Sequence, residues 1–202
     1  MLALTWLSTT AARADAPELP RRAVGFSAGL LVGGYGRFKS LDSGFGGCSI
    51  PCEGGATTRY TERARAGMGL HSLFRSGQHL QLGLSLWVMS AWQPQLRGQP
   101  SLDLGARFDV GFGFEYIRPV GRAALVLGPQ IGLGLGGGDG VAAVGLQLML
   151  NVGLQVPLEL VMLRATVGYQ QDVLLLNDIE GLATLTAIGG RAVLTLGFYF
   201  GT

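Results

Sequence analysis

Lysine is almost missing from this chain. Of its 15 basic residues only Lys39 is a lysine, so the flexible ammonium groups that usually solubilise exposed faces are absent. Charged residues are 14% of the 202, against roughly a quarter in ordinary soluble domains. Hydrophobic residues reach 48%, which leaves too little charge to clothe a globular surface. The formal net charge of +2 offers nothing to a polyanion, so no nucleic-acid partner is expected. Cysteine is scarce as well: Cys48 and Cys52 share the glycine-rich loop GGCSIPCEGG. Two thiols with no further Cys or His nearby cannot complete a tetrahedral zinc shell, so no metal site is expected. In an exported chain they would close a small disulfide ring.

Export is suggested by the first segment, MLALTWLSTTAARADA. Its short apolar run is followed by Ala12-Arg13-Ala14 and Ala14-Asp15-Ala16, small-residue patterns like those at a signal-peptidase site. The basic stretch that should precede the apolar run is lacking, so the segment reads as a leader remnant or as an internal start at Met1.

What the chain has is glycine, 34 residues of it, set into a period of two. In SLDLGARFDVGFGFEYI, Leu102, Leu104, Ala106, Phe108, Val110, Phe112, Phe114 and Tyr116 form one register and Ser101, Asp103, Gly105, Arg107, Asp109, Gly111, Gly113 and Glu115 the other. Such alternation marks a β-strand, whose successive side chains point to opposite faces. The pattern recurs from Val24 to Phe200 in eight candidate strands, each long enough for the roughly 9 to 11 residues a tilted strand needs to cross a bilayer. The connections RSGQ, RPVG and VPLE are tight, whereas residues 37 to 57, 93 to 100, 136 to 141 and 173 to 188 make longer or glycine-rich links. Short and long links alternate, as in a transmembrane barrel with tight turns at one rim and loops at the other.

In strand count, period, loop asymmetry and leader the chain resembles the small eight-stranded bacterial outer-membrane barrels of the OmpA/OmpX type, over nearly all of residues 24 to 200. The resemblance implies an all-β, antiparallel, up-and-down barrel over residues 23–202, preceded by a signal-peptide remnant and N-terminal segment at 1–22. It also implies a monomer in contact with outer-membrane lipid and lipopolysaccharide, inserted by the barrel-assembly machinery. Family members usually end in an aromatic residue that this machinery reads; here the end is LTLGFYFGT, with Phe200 two residues short of it.

A soluble sandwich or lipocalin-like barrel also alternates, but its second register faces water and should carry Lys, Glu, Ser and Thr. Here that register carries Gly, Gln and Arg. Glycine weakens a solvent-facing strand, whereas inside a narrow barrel it leaves room for long side chains. The long ones are Arg59, Arg63, Arg65, Arg107, Arg122, Arg164 and Arg191, with Asp103, Asp109, Glu115 and Asp172 on the same face. Buried charges must be paired or hydrated, so these residues are expected to plug the lumen. Tyr60, Trp92, Phe112, Phe114, Tyr116, Tyr169, Phe198 and Phe200 are expected to form interfacial belts. Pro129 should cause a bulge or break in its strand. The apolar stretch VLLLNDIEGLATLTAIG should extend two strands beyond the membrane or mark a contact surface.

No reaction is written in the chain. GLGLGG at Gly132–Gly137 fits G-x-G-x-x-G, but alternating residues follow it where a helix is needed. His71 and His79 flank RSGQ, and Ser72 beside His71 points to the opposite face, so no catalytic residues and no cofactor are expected. The leading reading is a structural or surface-interaction protein acting through its external loops. A narrow porin-like channel, a lipid-modifying enzyme and the soluble barrel are the alternatives.

Overall fold

Glycine-spaced alternation becomes β-structure wherever the computed structural model describes the chain, over residues 19–40, 57–96, 103–138, 141–178 and 184–201. The strands are β1 (Arg22–Ser40), β2 (Thr57–Glu62), β3 (Arg65–Ser76), β4 (Leu80–Met89), β5 (Pro94–Leu96), β6 (Arg107–Val120), β7 (Ala123–Gly138), β8 (Val141–Pro157), β9 (Met162–Asp178) and β10 (Thr184–Gly201). Both β2 and β3 pair with β1, and β5 and β4 pair with β2 and β3 in turn. Each of these couples is therefore one interrupted stave, and the ring has eight staves. Every pairing is antiparallel, and β10 returns to β1 from Ala23↔Gly201 to Ser40↔Leu185. Closure gives every stave a neighbour on both sides, the condition for spanning hydrocarbon with strands.

The tight turns lie at one rim. Gly77 and Gly121 take φ of 75° and 60° there, a left-handed conformation that only glycine adopts without cost. The third turn is held by a bond from Leu158 N to Val161 O, 2.7 Å.

The bulky register points outward. Val110, Phe114, Ile131, Leu148, Leu196 and Phe198 are each more than half exposed, and similar residues continue around the ring. Soluble monomers rarely expose contiguous apolar patches beyond a few hundred Å². An apolar belt encircling a barrel belongs in lipid, and the soluble reading fails on this point.

The alternation slips at four places, and each slip turns side chains to the other face. In β1 the register shifts between Val32 and Tyr35, where Gly33 has φ 67°; Leu31 before it and Phe38 after it both face inward. Between β2 and β3 the chain steps over residues 63–64, so Tyr60 and Arg65 are both inside. The break between β4 and β5 carries Trp92 inward. Gly105, at φ 69°, lets Leu104 and Arg107 both point inward. Tyr60, Trp92 and Leu104 therefore leave the lipid face assigned to them by strict alternation.

Pro129 produces a gap without a bulge. Gly113↔Gln130 and Tyr116↔Leu127 keep one register across it, while Phe114 and Glu115 have no ladder partners in β7 because proline offers no N–H. The apolar stretch near the end lengthens β9 to Asp178 and begins β10 at Thr184. It sends Leu174, Leu176, Leu185 and Ala187 into the barrel rather than leaving them as a free loop.

Candidate functional site

From the tight-turn rim upward, the lumen is filled in layers. Leu73, Ile117, Ala124, Met162 and Tyr199 pack together at the bottom. Above them Glu115 accepts both terminal nitrogens of Arg164, one of them at 2.8 Å, and Gln81 Nε2 at 2.9 Å. Leu31, Trp87, Met89 and Val193 follow. Phe38, Tyr60, Trp92, Leu96, Leu104, Leu174 and Leu176 close the far end as an apolar cap.

Beneath that cap runs a chain of ion pairs. Asp172 is its hub: Arg107 Nη1 donates to it at 2.9 Å, Arg191 Nη2 donates to the same oxygen, and Gln170 Nε2 donates to the other at 2.8 Å. Arg107 Nε also meets Asp109 at 2.6 Å. Arg191 Nη1 reaches Glu62 at 2.9 Å, and Arg65 joins the same carboxylate at 3.5 Å. Trp92 Nε1 donates to the other oxygen of Glu62 at 2.7 Å. Three guanidinium groups thus face three carboxylates, and the inner members of the chain, Glu62, Arg191, Asp172 and Arg107, each lie between opposite charges. Without such pairing a charge in this low-dielectric space would cost several kcal/mol, of order 3–5 for a broken pair.

Gly34 and Gly134 leave the space these side chains occupy: an added Cβ at Gly134 would stand 2.6 Å from Arg107 Nη2, and one at Gly34 2.6 Å from a Glu62 oxygen. Two cavities among the described lumen residues hold about 20 and 30 Å³, room for roughly one or two water molecules each.

Of the residues proposed for the lumen, Arg65, Arg107, Asp109, Glu115, Arg164, Asp172 and Arg191 are brought together there. Arg59, Arg63 and Arg122 are exposed outside it. For Arg59 and Arg63 the cause is the slip at residues 63–64, and Arg122 lies in the RPVG turn. Asp103 stays at the external rim, where Gly105 N and Gln93 Nε2 donate to it at 2.9 and 3.0 Å; the backbone bond first, then the amide, holds its carboxyl below the usual carboxylate range. Cys48 and Cys52 lie outside the described residues.

Sequence reading missed Glu62. Its place in TTRYTE put it on the lipid register, and only the slip beside it brings it inside. A second missed contact is Ser27 Oγ to His71 Nε2, 2.6 Å, between β1 and β3. His71 meets Trp87 and Tyr199 edge-on and lines a cavity of about 30 Å³. A hydroxyl and an imidazole in contact are the elements of an activated nucleophile, but this pair sits in a packed wall.

A closed antiparallel ring with an apolar outside and an ion-paired inside is a transmembrane β-barrel. The chain has the fold of the small eight-stranded outer-membrane barrels. It is similar to the crystal structure of Neisserial surface protein A (NspA) at 13% identity and a TM-score of 0.52, over 90% of this chain and 97% of that one. It is also similar to the outer membrane protein OprG from Pseudomonas aeruginosa at 11% identity and a TM-score of 0.57, over 93% of this chain and 99% of that one. No family model and no curated protein matches the sequence.

Proposed function

We propose that the protein is a monomeric barrel of the bacterial outer membrane, with a closed lumen, that acts as a scaffold for its external loops. The observation that carries closure is the continuous ion-pair chain from Arg65 through Asp172 to Asp109, roofed by the apolar cap. An ion entering from outside would first have to displace Trp92 and Phe38 and then break charge pairs that need each other. The scaffold role is supported by the loops, since one rim carries three tight turns and the other carries the longer links 41–56 and 97–106 beside the two-residue link 139–140 between β7 and β8. On this reading residues 1–22 contain an export leader, Cys48 and Cys52 form a disulfide within the first external loop, and the barrel-assembly machinery inserts the chain among lipid and lipopolysaccharide.

Planar-bilayer recording of the folded chain tests it. The expected trace is a flat baseline over the physiological voltage range. Steady discrete openings would establish the narrow-channel alternative and sink the closed-lumen reading.

A further inference from the structure

We propose that the outer wall of the barrel carries a binding site for a phosphorylated lipid headgroup, centred on Arg37 and Arg59 at the external edge of the apolar belt. This rests on the membrane reading above. The two arginines stand directly opposite one another on β1 and β2, both exposed on the lipid-facing side. Like charges in that position repel. Among the described residues no salt bridge joins either to a carboxylate, and Glu62, three residues on from Arg59, is turned inward onto Arg65 and Arg191. An anion lying between the two guanidinium groups would convert the repulsion into two charge-assisted hydrogen bonds.

The position is that of a headgroup. Along β1 the outward residues run Val24, Phe26, Leu30 and Val32, then Tyr35, Arg37 and Lys39. At about 3.3 Å per residue and a tilt near 40°, Tyr35 stands roughly 28 Å above Val24, against an apolar band of about 25 Å. On β9 Tyr169 and Gln171 follow Val167 on the outer face, with Val173 and Leu175 outward again beyond them. Tyr35 and Tyr169 meet hydroxyl to hydroxyl at 3.2 Å, reaching across Gly190 of the strand between them. A side chain at Gly190 would collide with the Tyr169 ring, so the glycine keeps this clasp possible.

Beside the clasp lies a groove of about 880 Å³ lined by Tyr35, Arg37, Arg59, Tyr169 and Gln171. That is far more than an inorganic anion fills and within the usual range for a small-molecule site, about 300–1,000 Å³. Its two tyrosines stand next to the apolar belt, following Val32 and Val167 along their strands, where acyl chains would lie. Charge, depth and volume together select an amphiphile with phosphate on its headgroup over a soluble anion.

The test uses the full chain folded in detergent micelles and incubated with bis-phosphorylated lipid A, with the dephosphorylated lipid, or with lipid A plus millimolar inorganic phosphate. Bound lipid is counted by native mass spectrometry. We expect the phosphorylated lipid to be retained, the dephosphorylated one to be lost, and free phosphate not to compete. R37Q/R59Q should weaken retention tenfold or more, and R118Q, at the opposite rim, less than twofold. Undiminished retention by the double variant, equal retention of the dephosphorylated lipid, an equal loss in R118Q, or displacement by free phosphate would each overturn the proposal. Migration of unboiled samples in detergent gels verifies folding; if the double variant fails to fold, R37Q and R59Q singly carry the same comparison. A native chain that shows no folded band contradicts the membrane reading itself, whereas a folded chain without lipid contradicts only this site.

Discussion

Asp172 shows how much one residue can hold. It receives two guanidinium groups and an amide and is almost wholly buried, so replacing it with asparagine leaves three cations facing two carboxylates in the layer beneath the cap. D172N should therefore destabilise the barrel by about 3–5 kcal/mol, the cost of orphaning a buried charge, read as a lowered midpoint of urea unfolding in lipid vesicles. An unchanged midpoint would mean that water, not Asp172, balances Arg107 and Arg191. The inward direction of Asp172 was legible, because it alternates with Gln171 and Val173 in an unbroken strand. The inward direction of Glu62 was not, because it lies one step from a slip that no residue type in TTRYTERAR announces.

At the scale of a strand, β6 shows what alternation does and does not settle. From Arg107 to Ile117 every second residue is buried and those between are wholly or partly exposed, as a period of two requires. Arginine at Val110, on the lipid face within the belt, should cost roughly 2–4 kcal/mol in insertion. Asparagine at Asp109, on the lumen face, should cost less, since Arg107 keeps Asp172. Folding yields of V110R and D109N into vesicles, measured side by side, check that order, and the reverse order would count against the assigned faces. Just upstream the pattern misleads: Leu104 belongs to the greasy register of the sequence, yet Gly105 turns the chain and seats it in the cap. A glycine in an alternating run is equally readable as a small lumen residue or as a pivot, and its φ is set by neighbours in space. Gly105 approaches the backbone of Gly137 so closely that a Cβ would collide with it, a contact between segments some thirty residues apart.

Considered whole, the molecule is a ring whose stability depends on closure. All eight staves contribute rungs to two neighbours, so there is no stave whose loss leaves a smaller closed barrel. Folding should therefore be cooperative: unboiled protein in detergent gels should migrate as one compact band and convert on heating to one unfolded band. A ladder of partly folded bands would show that the staves melt separately. The alternating residues by themselves determined the number of staves, the rim that carries the tight turns and, for most positions, which side chains meet lipid. Those properties depend on neighbours in sequence, through the two-residue period and local turn chemistry. Only the tertiary structure decided which arginine meets which carboxylate, that Tyr60, Trp92 and Leu104 roof the lumen, and that Arg37 faces Arg59 beside the Tyr35–Tyr169 clasp. Those contacts depend on the stagger between staves and on the four slips that reverse a face. Stagger and slip are set when the ring closes, by packing across the lumen between residues far apart in the chain.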